Sequence, residues 1–302
     1  MSGNELSGVI CVNKPSGFTS FDVVAKLRGI LRMKRLGHGG TLDPMATGVL
    51  PVFVGTATKA CDIMPDTSKS YRAGFRLGVT TDTQDITGEV RSSSDMPVSR
   101  EDILALLPEF TGKIMQLPPM YSAVQVNGQR LYDLARKGIE VEREAREIEV
   151  SSLVLTSYKE QEREGVLEIA CGKGTYIRTI INDIGERLGC GGIMTSLVRT
   201  SSGGFTLDDC FTFGQIEQAR DEDRLGELIL PISRVFGGLP SLKLSEAQTR
   251  MYRSGVRLDL NRVHGIIPGA AEYSVYGFDG GFIGTAKAHE ESGELRVWKN
   301  LT

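Results

Sequence analysis

The stretch Gly37-His38-Gly39-Gly40-Thr41-Leu42-Asp43-Pro44-Met45-Ala46-Thr47-Gly48 constrains this chain more than any other. A histidine and an aspartate stand five positions apart among glycines at 37, 39, 40 and 48. Each glycine accepts positive φ or lets another backbone approach closely. Pro44 biases Asp43 toward extended backbone and removes the next N–H. A loop built this way can hold one carboxylate in a fixed pose, as a nucleophile or general base requires. Aspartate before proline is also an ordinary turn former, so the loop alone leaves both readings open.

Around the loop, Gly8 to Pro15 reads as a short buried strand stopped by proline. Ser20 is expected to cap a helix with Phe21, Val24, Leu27 and Leu31 on one face. Gly48 to Gly55 is a second apolar strand, in which Pro51 predicts a break or an edge position. Tyr71 to Val79 alternates as a half-buried strand does, and Thr80 to Asp85 reads as loop. Ser99 with Asp102 forms a capping box that opens a helix through about Phe110. Val166 to Cys171 is strand-like, and Thr175 to Leu188 is a helix ended by Gly189. Residues 121–149 are polar and charged, an excursion from the core. From about Leu239 one short helix, Ser245 to Tyr252, precedes glycine-punctuated strands through Trp298. Strands and helices mix without regular βαβ spacing, which predicts an α+β fold with a mixed, largely antiparallel sheet. The expected division is residues 1–238 and a small β-rich domain, 239–302.

Composition narrows the function. Hydrophobic residues at 40% and charged residues at 24% suit a soluble globular protein. The N-terminal MSGNELSG has no basic region followed by an apolar run, so no leader is expected, and no window is long and apolar enough to span a membrane. Five scattered cysteines (11, 61, 171, 190, 210) form no C-x-x-C pair, which suggests reduced thiols and a cytoplasmic protein. Three dispersed histidines (38, 264, 289) provide no cluster of metal ligands. The patterns G-x-x-x-x-G-K-[ST] and G-x-G-x-x-G opening a helix are both absent, so neither metal nor nucleotide cofactor is expected. Net charge is −3, yet residues 1–59 hold seven Lys/Arg against three acids. Five of those cations lie between Lys26 and Arg35, just before the His/Asp loop, which fits either a nucleic-acid contact or a solvated helix face.

The loop closely resembles the signature of the TruB type of bacterial tRNA pseudouridine-55 synthases, usually G-H-T-G-T-L-D-P-x-A-T-G-V-L-P. Four further blocks resemble that family in the same order: Asn13-Lys14-Pro15-Ser16-Gly17; Ser70-Tyr71-Arg72 with Leu77-Gly78 and Thr81-Asp82-Thr83; Gln116-x-Pro118-Pro119-Met120-Tyr121-Ser122-Ala123; and Gly174-Thr175-Tyr176-Ile177-Arg178-Thr179. The resemblance implies a cofactor-free isomerisation of a tRNA T-loop uridine, with the base flipped out of the loop and T-loop and T-stem as partners. Asp43 falls on the catalytic aspartate. Attack at C1′ or C6, or help in removing the 2′ proton, all remain open to it. Arg178 matches the arginine that keeps this carboxylate ionised and oriented. Tyr71 matches the tyrosine that stacks on the base and can exchange a proton, the alternative being a tyrosine that fills core.

Tyr176 and Leu197 match residues lining the uracil pocket, and a plain core leucine is the competing reading of Leu197. His38 matches the histidine that takes the place of the flipped-out base. Lys14 and Pro15 are expected to support the site's floor. Gly39 departs from the family's threonine and is expected to loosen the loop. Residues 121–149 correspond to an RNA-clasping insertion in which Arg130, Arg136 and Lys137 are phosphate contacts. The tail resembles a PUA domain, a small RNA-binding β-barrel, on Leu244-Ser245 to Gly255 and Gly281-Phe282-Ile283-Gly284. A monomer is expected. The competing function is an RNA-binding protein that assists tRNA folding with little or no catalysis.

Overall fold

The computed structural model describes residues 6–302; residues 1–5, on which the expectation of no leader partly rests, lie outside the described residues. The first strand, β1 (Gly8–Lys14), stops at Pro15 as expected. Helix α1 (Ser20–Leu31) begins one residue earlier than Ser20 as cap would allow. Thr19 is the N-cap, in a capping box with Asp22, which leaves the Ser20 hydroxyl for another partner. The buried side chains of α1 are Ser20, Val23, Val24, Leu27, Ile30 and Leu31, so Phe21 is not on the core face and is 69% exposed. Arg32 ends the helix in the left-handed region. Strand β2 (Leu36–His38) then pairs antiparallel with β3 (Thr47–Val54), His38 opposite Val52.

Pro51 neither breaks β3 nor puts it at an edge. The strand is flanked by β1 and β2, and the Pro51 carbonyl accepts the Gly39 N–H at 2.9 Å.

By compactness the chain divides into two units, residues 1–44, 49–66 and 203–302 in one, 45–48 and 67–202 in the other. This division runs across the boundary at 238 expected from composition.

The second unit is built on β4 (Lys69–Leu77), where Tyr71, Ala73, Phe75 and Leu77 are buried and Arg72 and Arg76 exposed. Thr80 and Thr81, expected as loop, belong to a short strand, β5 (Val79–Thr81), paired with β6 (Val90–Ser93). Ser99 and Asp102 cap α2 (Arg100–Leu106), which tightens to a 3₁₀ turn through Phe110. After β7 (Gly112–Gln116) come a minimal hairpin, β8 (Gln125–Val126) and β9 (Gln129–Arg130), and one short helix, α3 (Leu131–Ala135). The excursion is shorter than expected. Residues 146–149 already belong to β10 (Arg146–Lys159), where Ile148 and Val150 turn inward. Strand β11 (Glu164–Cys171), helix α4 (Ile177–Arg187) and β12 (Gly192–Ser202) complete the unit, with Gly189 at φ 78 just past the end of α4.

The ladders run β12-β4-β11-β10-β7, all antiparallel, while β12 meets the first two residues of β3 in parallel. The sheet is therefore mixed and largely antiparallel.

In the first unit, β13 (Phe205–Thr206), β14 (Cys210–Phe211) and α5 (Phe213–Asp221) follow, and β14 pairs parallel with β1. Alternate residues of β1 and β3 feed two cores. Ile10, Val12, Leu50 and Val52 pack with α1 and Phe213, and Val9, Cys11, Val49 and Phe53 pack with Phe205 and Phe236. That two-sided burial accounts for the unbroken apolar runs.

The tail has a core of its own, including Leu242, Tyr252, Tyr273, Val275 and Leu295. It comprises β15 (Ser241–Lys243), α6 (Glu246–Arg253) capped by Ser245, β16 (Leu258–Asp259), β17 (Glu272–Tyr276), β18 (Phe282–His289) and β19 (Glu294–Asn300). The five strands form one sheet, β15-β17-β18-β19-β16, a half-barrel with two ends rather than a closed ring.

Candidate active-site elements

The aspartate loop is anchored on both sides of Asp43. The Ser20 hydroxyl accepts the Leu42 N–H at 2.9 Å in a buried position, and the Leu42 side chain is itself buried. On the other side, the Pro44 carbonyl accepts the Gly17 N–H at 2.8 Å and the Lys14 ammonium at 3.1 Å. Lys14 is fully buried, and its ammonium also donates to the Pro15 carbonyl at 2.9 Å. Gly17 reaches Pro44 at φ 83, a conformation that favours glycine and that gives the K-P-S-G element its role. Asp43, half-buried between two pinned neighbours, is thereby held in place by its backbone.

His38 is half-buried on β2, its Nδ1 accepting the Gly40 N–H at 3.4 Å and its ring standing edge-on to Phe21, centroids 5.3 Å apart. The Gly39 N–H is bonded to Pro51, and a Cβ built there would come within 3.1 Å of Phe53 Cε2 and 3.3 Å of Met64 Sδ. A side chain there needs Phe53 or Met64 to give by a few tenths of an ångström.

In the second unit three of the sequence blocks converge on Arg178. It occupies the first turn of α4, buried, with Nη2 donating to the Tyr121 carbonyl at 2.6 Å and its guanidinium 5.8 Å from the Tyr176 ring centre. The Tyr121 phenol donates to Asp82 at 3.3 Å. Burial and the Asp82 carboxylate raise the Tyr121 pKa, which keeps that proton in place. Gln116 brackets Tyr176, its amide nitrogen donating to the Tyr176 carbonyl at 3.0 Å and its oxygen accepting the Tyr176 N–H at 2.9 Å. Thr179 donates to the Gln84 side chain at 2.8 Å. The blocks around Asp82, Gln116 and Arg178, read singly as motifs, are one hydrogen-bonded framework.

Tyr71 is 7% exposed on β4, and its register partner on β12 is Arg199. Leu197, opposite Ala73, lies on the same sheet face, diagonal to Tyr71. Arg199 is fully buried, and the sequence reading missed it because a lone arginine in a strand carries no pattern. Gly48 lets its own backbone come close to that of Arg199. At φ 103, a Cβ there would come within 2.2 Å of the Arg199 carbonyl oxygen. Ser20 and Gln116 were missed likewise, since their roles depend on residues 22 and 60 positions away.

Of the expected site residues, Lys14, His38 and Asp43 thus belong to the first unit, and Tyr71, Tyr176, Arg178 and Leu197 to the second. Arg130, Arg136 and Lys137 line a surface cavity of about 540 Å³ around the hairpin and α3. Among the described residues no three His, Cys, Asp or Glu side chains gather as a metal requires, no helix is long and apolar enough to cross a membrane, and the five cysteines are free thiols.

The sequence matches the model of the TruB family pseudouridylate synthase N-terminal domain over residues 28–177, and that of the tRNA pseudouridylate synthase B C-terminal domain over 178–236. A tRNA pseudouridine synthase B of Dehalococcoides mccartyi is 44% identical over 260 residues, covering 85% of this chain and 86% of its own. One of Bacillus velezensis is 41% identical over 302 residues, 98% of each chain. Among solved structures, the Cbf5-Nop10-Gar1 complex contains a chain that superposes with a TM-score of 0.76 at 26% identity, covering 98% of this chain and 85% of that one.

Proposed function

The chain belongs to the TruB family of tRNA pseudouridine synthases, and from that premise we propose that Asp43 carries the isomerisation of a T-loop uridine, position 55, that has been flipped out of the tRNA. The reaction breaks N1–C1′, turns the uracil, joins C5 to C1′ and moves the C5 proton away while N1 gains one. Each step needs a carboxylate that does not wander, and placement of this kind is a large part of enzymatic rate. The observation that carries the reading is the double anchor of Asp43, Leu42 to Ser20 on one side and Pro44 to Lys14 and Gly17 on the other.

The remaining roles follow from what each residue offers. Tyr71 presents an aromatic face for the base and a phenol for proton exchange, while Leu197 and Tyr176 contribute pocket wall. Arg178 is the cation that serves the carboxylate, and its tether to Tyr121 supports a fixed guanidinium. His38 fills the gap left by the flipped base. Lys14 acts on the Pro44 carbonyl and supports the loop rather than the chemistry. Arg130, Arg136 and Lys137 contact T-stem phosphates. We assign residues 1–238 to catalysis, with 121–145, the part of the expected excursion that precedes β10, as the clasping insertion, and 239–302, which has its own core, to RNA binding. A cytoplasmic monomer that uses neither metal nor nucleotide completes the proposal.

The test is an unmodified tRNA transcript incubated with the wild type and with Asp43→Asn, pseudouridine being mapped by carbodiimide and primer extension. The variant should bind tRNA and form no product. A variant that converts uridine at the wild-type rate would remove Asp43 from the chemistry. A wild type that binds without converting would favour the tRNA-folding role.

A further inference from the structure

The solvent face of α1 has a pattern the catalytic reading leaves unused. At about 100° per residue, Phe21, Ala25 and Arg28 fall on one narrow stripe, and Arg32 follows at the helix's left-handed C-cap. All four are exposed, Phe21 to 69%. Phe21 is not a stray apolar residue, because its ring meets the His38 ring edge-on at 88°. Ala25 and the exposed Gly29 keep the middle of the stripe low.

At the far end the exposed cations Arg28, Arg32, Lys34 and Arg35 make no ion pair among the described residues. Arg28, Arg32 and Lys34 border a shallow depression of about 480 Å³. Lys26 leaves the stripe, held by Glu217 at 3.3 Å and lying over the Phe213 ring. Asp22, next to Phe21 in the chain, is engaged by the Thr19 hydroxyl and N–H. The surface therefore reads aromatic, small, small, cationic, starting at the proposed wedge.

We propose that this face is a further RNA contact, in which Phe21 stacks on an unpaired base next to the His38 wedge while Arg28 and Arg32, extended by Lys34 and Arg35, take phosphates of the same strand. At 1.5 Å per residue Phe21 lies roughly 10 Å from Arg28 and roughly 16 Å from Arg32 along the axis. That separation spans a few nucleotides of a single strand. Base-on-aromatic stacking and phosphate pairing are the two components from which sequence-tolerant RNA tracks are made. The proposal rests on the reading of this chain as an enzyme acting on tRNA.

It is tested on the full chain by measuring tRNA transcript affinity from 50 to 250 mM KCl for the wild type, Phe21→Leu, Phe21→Tyr and the double variant Arg28→Gln/Arg32→Gln. The arginine variant should bind about five-fold or more weakly at low salt, with the slope of log affinity against log salt shallower by about one to two. Phe21→Leu should lose about five-fold and Phe21→Tyr should stay within about two-fold of the wild type. An arginine variant with unchanged slope overturns the phosphate track. A leucine variant that binds like the wild type, or a tyrosine variant as weak as the leucine one, overturns the stacking. Pseudouridine formation by the wild type in the same preparation separates the two readings: if product forms and all variants bind normally, only this proposal fails.

Discussion

The Ser20 hydroxyl, at the start of a helix, accepts the backbone N–H of Leu42, the residue before the candidate catalytic aspartate. The bond is buried and joins positions 22 residues apart, so it couples α1 to the pose of Asp43. Replacing Ser20 by alanine strands a buried donor, which costs about 1–3 kcal/mol. The melting temperature should fall, and pseudouridine formation under single-turnover conditions should slow by about ten- to a hundred-fold, because small misplacements of a reacting group are expensive. A variant that melts lower but reacts at the wild-type rate would show that the bond serves stability alone.

Gly39 predicts a defined clash. Threonine there must displace Phe53, which is fully buried, or Met64. Overpacking of this kind costs about 1–3 kcal/mol. Gly39→Thr should lower the denaturation midpoint, and Gly39→Thr/Met64→Ala should recover part of the loss, a positive coupling in a double-mutant cycle. Strictly additive effects would mean that Met64 is not what the threonine meets.

Gln116→Leu removes both hydrogen bonds that hold the Tyr176 backbone at the head of α4. Leucine fills the volume but leaves the Tyr176 N–H without its partner, whereas the Tyr176 carbonyl still accepts the Ile180 N–H at 3.2 Å, so about 1–3 kcal/mol of stability should go if that one donor stays dry. Because Arg178 lies two residues on, kcat should fall more than KM rises. A change confined to KM would place Gln116 in RNA binding instead.

Acid sensitivity of α1 follows from its cap. The Thr19 hydroxyl, then the Thr19 backbone N–H, hold the Asp22 carboxylate below its ordinary value of 3.8. A depressed folded pKa means that the stabilisation is present above the unfolded value and is lost as pH falls through the folded one. Asp22→Asn should therefore melt below the wild type at pH 6, and the gap should close as pH falls below 3.8. A gap independent of pH would assign the effect to shape rather than charge.

How much of this was legible beforehand depends on the range over which each cause acts. The capping box at Ser99, the alternation of Tyr71 to Leu77 and the stop of α4 at Gly189 are written within a few residues of one another, and they appear where the sequence puts them. The order of the sequence blocks was likewise enough to indicate the family. Phe21 shows where such reasoning ends. Helical spacing admits it to the apolar face, yet the core is filled by Val23 and Ile30, and its ring turns to His38 instead.

The sequence by itself determined the local elements and the family, because periodicity, caps and motif order are short-range or one-dimensional signals. The pairings of Ser20 with Leu42, Pro44 with Lys14 and Gly17, Gln116 with Tyr176 and Tyr71 with Arg199 belong to the tertiary structure. Each joins residues far apart in the chain. Partners of that kind are set by which strands neighbour one another and by which buried polar groups must be satisfied once they do.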